Sequence, residues 1–257
     1  LGDTLEKIAF EKAGIIKPNV PVIIGQQPYK EALEVLINQA KKLEAPAFVY
    51  KQDWNIKQNE NKICYSDEEG EIFLDPLNIN GEFQLYNLGL AIASTRKIEN
   101  QNVKNALSHN PHLKIKLPGR IQQINNGKYF KLISTQNELF LDGSHNEDAA
   151  FQLNLAMQNM PQVKDLVMIL GMINTKDPIN YVKQLKGLVA IKTITIPNEV
   201  SAIPAEQLSF KLTSLVSEVS PANSIKEAIR SLSNEYPQAR ILICGSLYLA
   251  GQVLKYN

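Results

Sequence analysis

Apolar and polar positions alternate along the chain in two runs of helix-and-strand pattern, separated by a polar, proline-bearing stretch. In the first run, residues 4–13 carry Leu5, Ile8, Ala9 and Lys12 on one helical stripe, and Gly14 and Pro18 stop the helix. VPVIIG at 20–25 is short, apolar and β-branched, the composition of a strand buried on both faces. Leu33, Leu36, Ile37 and Ala40 predict a helix over 29–43, and AFVY at 47–50 predicts the next strand. This β-α-β order predicts a parallel pair. Residues 54–80 read as hairpins broken by DEEG and DPLN, followed by helices at 83–97 and 101–108.

SHNPH at 108–112 is the candidate linker, which divides the chain into domains 1–112 and 113–257. Beyond it, IQQI (121–124) and YFKLIS (129–134) flank NNGK, an Asn-Gly hairpin signal. ELFLD (138–142), LVMILG (166–171), ITI (194–196) and ILICG (241–245) are predicted strands. They alternate with predicted helices at 147–159, 178–186, 204–213, 223–233 and 246–254. That order predicts a three-layer, doubly wound α/β unit.

Composition narrows the function without naming it. With 44% hydrophobic residues, 21% charged residues and a net charge of +1 over 257 residues, the chain is globular and has no electrostatic footprint for nucleic acid or anionic membrane. No apolar run reaches the roughly 18 residues of a membrane helix. The two cysteines, Cys64 and Cys244, match no metal spacing, and their sparseness points to a reducing cytoplasm. No basic segment with an apolar stretch and cleavage site is visible, as expected of a protein that is not secreted. The chain opens at Leu1 inside a patterned segment, without Met, which reads as part of a longer protein.

Four clusters carry candidate chemistry. Lys12, in EKAGIIK, shares its face with Ile8 and Ala9, so its stem is expected to be buried. A buried amine loses hydration, and in its neutral form it can act as a nucleophile or take up carbon dioxide as a carbamate. The plainer alternative is a lysine that snorkels to solvent or pairs with Glu6 or Glu11. LPGR at 117–120 makes a tight turn that presents Arg120, either to a phosphate or to a structural carboxylate. FLDGSHNEDAA at 140–150 ends a strand at Asp142 and starts a helix near Glu147, so Asp142 and His145 lie where open α/β sheets bind ligands. An Asx turn with an N-cap explains the same residues without a ligand. Ser246, in ICGSLYLAG, is an anion-binding hydroxyl or simply an N-cap. GMINTKD at 171–177 is a loop of the same kind, and no phosphate-cradling G-x-x-x-x-G-K-[ST] sequence is present.

Taken in order, LGDTLEKIAFEKAGIIKP, GEFQLYN, LPGR, LDGSHN, GMINTKD and GSLY resemble the motifs of the bifunctional dihydrofolate synthase/folylpolyglutamate synthase family of the Mur-ligase superfamily. The resemblance implies the remainder of a Mur-ligase-like central domain followed by a Rossmann-like ligase domain. It implies an ATP- and Mg²⁺-dependent ligase that adds L-glutamate to a folate or dihydropteroate carboxylate through an acyl phosphate. Carried onto this chain, it makes Lys12 the carbamylated lysine that helps hold Mg²⁺. Asn87, Arg120 and Asp142 become ATP contacts, and His145 and Ser246 lie near the incoming glutamate, with His145 catalytic. A monomer is implied. The chain departs from the family at Leu117 (usually Trp), Ser144 (usually Ala) and Glu147 (usually Pro). It also has a longer segment between Arg120 and Asp142, read as an extended hairpin. The family's P-loop and direct Mg²⁺ ligands would lie upstream of Leu1, so the first domain alone is expected to expose apolar surface. Two other readings stand beside this one. One is a catalytically inactive remnant or binding module of the same fold, and the other is a sibling cell-wall ligase with a nucleotide-sugar acceptor.

Overall fold

The computed structural model describes residues 2–59, 62–76, 81–98, 100, 117–160 and 164–257. The chain forms two compact units, Leu1–Ile115 and Lys116–Asn257. The predicted linker 108–112 and the predicted helix at 101–108 lie outside the described residues.

In the first unit, α1 (Leu5–Ala13) is capped by Thr4, whose side chain accepts from the Lys7 amide, and it ends at Gly14. The strands β1 (Val22–Ile24) and β2 (Ala47–Val49) pair in parallel, with α2 (Lys30–Lys42) between them in sequence. The predicted β-α-β unit is therefore present, but β1 is only partly covered rather than buried on both faces. A three-stranded antiparallel meander follows, β3 (Trp54–Gln58), β4 (Ile63–Asp67) and β5 (Gly70–Leu74). Its apolar face, Trp54, Ile56, Ile63, Tyr65 and Leu74, packs with Leu88 and Ile92 of α3 (Glu82–Arg96).

Of the stripe predicted for α1, only Ala9 is buried. Ala9 and Ala13 are buried, and Ala13 packs with Ile16, Ala40 and Ala45. Leu5, Ile8 and Phe10 are exposed, as is Ile15 just beyond the helix. The small alanines let α1 approach α2 closely and turn the longer side chains outward. Lys12 is exposed as well, so its expected burial is not found. Val20, Tyr29, Phe73 and Ile98 of this unit are exposed as well.

The second unit is a six-stranded sheet in the order β10-β9-β8-β11-β7-β6. The strands β7 (Glu138–Leu141), β8 (Leu166–Leu170), β9 (Leu188–Thr193), β10 (Glu218–Pro221) and β11 (Arg240–Cys244) are parallel, and β6 (Gln122–Gln123) is an antiparallel edge. Central β8 and β11 are buried along their whole length, which is why β8, and β11 after Arg240, read as apolar runs. Alternate residues divide between the faces. Leu139, Leu141, Val167, Ile169, Ile241 and Ile243 join one core with Ile229 and Leu232 of the helix Ile225–Glu235 and with Leu249 and Val253 of the helix Leu247–Tyr256. In chain order the helices of this unit are α4 (Gly127–Phe130), α5 (Glu147–Gln158), α6 (Pro178–Lys183), α7 (Ala205–Leu212), α8 (Ile225–Glu235) and α9 (Leu247–Tyr256). On the opposite face, Arg240 bonds to the Met157 carbonyl of α5, Cys244 meets Tyr181 of α6, and Thr193 bonds to the Ala205 carbonyl of α7. The unit is the predicted three-layer, doubly wound domain.

Three details differ from the sequence reading. No hairpin forms at Asn126-Gly127; Gly127 starts the single-turn α4, and Asn257 fixes it by accepting from the Lys128 and Tyr129 amides and donating to the Asn126 carbonyl. That contact spans the whole unit, so local turn chemistry does not reveal it. The strand expected at 194–196 lies earlier, at β9, and Ile194 and Ile196 are instead core residues just beyond the sheet. The edge strand β10 is polar and ends in Pro221, so it has little apolar signal.

Candidate functional site

The carboxyl ends of β7, β11 and β8 lie side by side, because β11 pairs with both neighbours. Three predicted motif loops leave from this edge: Asp142–Asn146 after β7, Gly245–Ser246 after β11, and 171–177 after β8. The Arg120 turn is fastened to the first of them. The Gly143 amide donates to the Gly119 carbonyl at 2.8 Å, and the Ile121 amide donates to Asp142 Oδ2 at 2.8 Å.

Asp142 is 4% exposed and acts as a clamp. Its Oδ1 accepts the Ser144 amide at 2.7 Å while its Oδ2 holds Ile121, so one carboxylate ties together two segments 21 residues apart. Ile121 needs that hold. It is a β-branched residue at φ 46°, a left-handed conformation that side chains of this shape avoid, and it is 1% exposed. Such strain costs on the order of 1–3 kcal/mol and persists where its surroundings fix it. The kink buries Ile121 and leaves the neighbouring Arg120 exposed. Among the described residues, the Arg120 guanidinium has no ion pair and no hydrogen bond partner.

Two glycines make this edge possible. A Cβ on Gly143 would lie 2.3 Å from Leu247 Cδ2 and 3.5 Å from Arg120 Nη1, so any side chain there would push the exposed Leu247 side chain aside. Gly245 has φ 104°, and a Cβ there would strike the Gly171 carbonyl oxygen at 2.7 Å. Its amide donates to the Ser144 carbonyl at 3.0 Å, which brings His145 and Ser246 to either side of one backbone bond.

His145 is half-buried, with Nδ1 3.2 Å from the Gly143 carbonyl. Asn146 caps α5 by accepting the Ala149 amide at 2.9 Å, so the Asx-turn reading and the ligand-loop reading describe the same residues. Ser246 is 3% exposed and caps α9 by accepting the Tyr248 amide at 3.1 Å, which leaves its own hydroxyl proton free to donate. Beneath the loops, Ser144 Oγ lies 2.6 Å from Tyr181 Oη, and the buried Cys244 thiol sits beside the same hydroxyl. Burial raises the Tyr181 hydroxyl well above its ordinary range and pushes the Cys244 thiol up as well, so both are neutral at neutral pH. Sequence reasoning missed Tyr181, because NYVK carries no signal beyond an ordinary helix start.

Arg120, Asp142, His145 and Ser246 thus meet at one edge of one sheet. Lys12 and Asn87 belong to the other unit: Lys12 is exposed on α1, and Asn87 is exposed on α3 with Nδ2 3.3 Å from Gln84 Oε1. A cavity of about 880 Å³ in the second unit is not at this edge. It lies at the amino ends of the strands, lined by Asn137, Glu138, Lys164 and Tyr236, where the charged groups already pair with one another.

Open α/β sheets bind ligands at the carboxyl ends of their strands, and this is the edge where Arg120 is exposed and His145 half-buried. Residues 125–256 match the family model described as dihydrofolate synthetase, C-terminal domain, and the chain belongs to that family. It is 26% identical to the dihydrofolate synthetase of Saccharomyces cerevisiae over 272 residues, covering 100% of this chain and 62% of that protein. It is 28% identical to the probable dihydrofolate synthetase of Schizosaccharomyces pombe over 276 residues, again covering 62% of the relative. The chain therefore spans less than two thirds of the length of these relatives. Among solved structures, the folylpolyglutamate synthase of Mycobacterium tuberculosis, determined with ADP and AMPPCP, superposes with a TM-score of 0.78 at 22% identity. That match covers 99% of this chain and 60% of the other. Escherichia coli FolC, in complex with DHPP and ADP, gives 0.75 at 22% identity over 99% of this chain and 57% of that one. These superpositions establish the shared fold.

Proposed function

We propose that this chain is part of an ATP-dependent ligase that joins L-glutamate to the carboxylate of dihydropteroate or a folate through an acyl phosphate. The observation that carries this reading is the exposed, unpaired Arg120, held on a strained and buried frame within a chain of the dihydrofolate synthetase family. The ADP- and AMPPCP-bound M. tuberculosis enzyme and the ADP-bound E. coli enzyme share its fold and support ATP as the co-substrate.

ATP supplies the phosphoryl group that turns the acceptor carboxylate into an acyl phosphate, which the glutamate amine attacks with loss of phosphate. The guanidinium of Arg120 offers a planar fork of donors to phosphoryl oxygens. We assign Asp142 to the ATP site beside Arg120; with both oxygens on backbone amides, it also fixes the Arg120 turn. We assign His145 and the hydroxyl proton of Ser246 to the incoming amino acid, and Asn87 to the nucleotide base. Lys12, as a carbamate, is assigned to Mg²⁺. Among the described residues no group of three or more His, Cys, Asp or Glu side chains could hold a metal ion. No helix of the described residues is long and apolar enough to cross a membrane, and we place the protein in the cytoplasm as a monomer.

The test is ADP release by the natural protein with ATP, L-glutamate and either dihydropteroate or folate, against a parallel arm with a nucleotide-sugar peptide. The expected result is release that needs both the pterin and glutamate. Release only in the nucleotide-sugar arm reassigns the protein to cell-wall synthesis. No release in any arm leaves an inactive module of the same fold.

A further inference from the structure

Tyr181 is 0% exposed and cannot touch a substrate, yet its hydroxyl sits directly beneath the loop that carries His145. The contact runs through Ser144, itself 4% exposed, which makes three bonds to three separate elements. Its amide donates to Asp142 Oδ1 at 2.7 Å at the end of β7. Its carbonyl accepts the Gly245 amide at 3.0 Å at the end of β11. Its hydroxyl lies 2.6 Å from Tyr181 Oη on α6, the helix that follows loop 171–177. The first two bonds fix backbone. The third is the one made by the Ser144 side chain, and it joins the loop after β8 to the other two.

We propose that Tyr181 is a positioning residue: through its buried bond to Ser144 it sets the conformation of the Gly143–Asn146 loop and so the placement of the His145 imidazole. The inference rests on the reading that this edge is the catalytic face. His145 follows Ser144 directly, and the one bond its ring makes among the described residues is the 3.2 Å contact to the Gly143 carbonyl, on the other side of Ser144. A change in the Ser144 backbone therefore moves both ends of that contact. Removing the Tyr181 hydroxyl leaves the Ser144 hydroxyl buried without its partner, which drives the loop to find another arrangement. Removing both hydroxyls abolishes that penalty but does not restore the tether.

This difference separates positioning from mere stabilisation. The variants are Tyr181→Phe, Ser144→Ala and the double variant. Ser233→Ala is the control, since it removes a buried hydroxyl bonded to Asn137 Oδ1 at 2.7 Å at the amino edge. The first readout is the ring NMR signal of His145, assigned among the three histidines by its loss in His145→Gln. Tyr181→Phe and the double variant are expected to shift or broaden that signal, while Ser233→Ala leaves it in place. The double variant is expected to recover the thermal midpoint lost by Tyr181→Phe without recovering the signal. In turnover, the KM for glutamate rises about fivefold in both, the worth of one neutral hydrogen bond, with kcat within about twofold. His145 signals that superimpose on wild type in Tyr181→Phe and in the double variant overturn the inference. Because the NMR readout needs no turnover, shifted signals in a protein without ligase activity would sink the ligase reading alone.

Discussion

At the amino edge of the six-stranded sheet, Arg240 is 5% exposed and its Nε donates to Glu138 Oε2 at 2.7 Å, while Lys164 lies 3.3 Å from Glu138 Oε1. Asn137 beside them donates to the Tyr236 and Ala239 carbonyls and accepts from Ser233. At the carboxyl edge the arrangement is reversed. The carboxylate, Asp142, is spent on backbone amides, and the arginine, Arg120, stands in solvent with no ionic partner among the described residues. Both edges belong to one sheet and both carry polar networks, but only one leaves a cation unanswered. A paired, buried arginine holds structure, because its charge is already compensated. Arg120 is exposed beside a strained, buried Ile121 and a buried Asp142, which fits the phosphate-binding role proposed for it. A cavity of about 880 Å³ lies at the amino edge, where the charged groups already pair with one another.

Four changes probe this contrast, and the largest effect is expected at the amino edge. Glu138→Ala leaves Arg240 buried without its counter-charge and should cost about 3–5 kcal/mol in urea unfolding, with turnover by the folded protein unchanged. A loss below about 1 kcal/mol would place the pair among ordinary surface bridges and erase the distinction. Asp142→Asn keeps one acceptor but turns an amide donor toward the Ile121 or Ser144 N–H. It should cost about 2 kcal/mol, and hydrogen exchange at the Ile121 amide should accelerate. Ser246→Ala removes the α9 cap for about 1 kcal/mol, read as a lower thermal midpoint. It should also raise the KM for glutamate, which a cap without a ligand would not do. Arg120→Ala is expected to perturb stability least of the four, within about 0.5 kcal/mol of wild type by urea unfolding.

Much of the second unit was legible because its central strands are buried on both faces and therefore contain little but Leu, Ile, Val and Met. The loops carrying Arg120, Asp142, His145 and Ser246 were legible because each follows such a strand or a Pro-Gly turn. What was hidden depends on distant partners. The Asn126-Gly127 turn becomes a helical turn because Asn257 reaches it, and β10 is a strand because β9 offers it an edge despite its polar residues. The left-handed Ile121 cannot be read from its own side chain; Asp142, far along the chain, creates it. Lys12 was misplaced for a physical reason as well. The buried residues of α1 are its alanines, Ala9 and Ala13, so Leu5, Ile8 and Lys12 of the same stripe point to solvent.

The most direct test of the carboxyl edge as the catalytic face is pterin- and glutamate-dependent ADP release by the natural protein carrying Arg120→Ala. The account predicts a fall of at least about 100-fold, typical for losing one donor to developing negative charge, while the unfolding curve stays at the wild-type position. Unchanged ADP release with the fold intact would contradict it and remove Arg120 from the site.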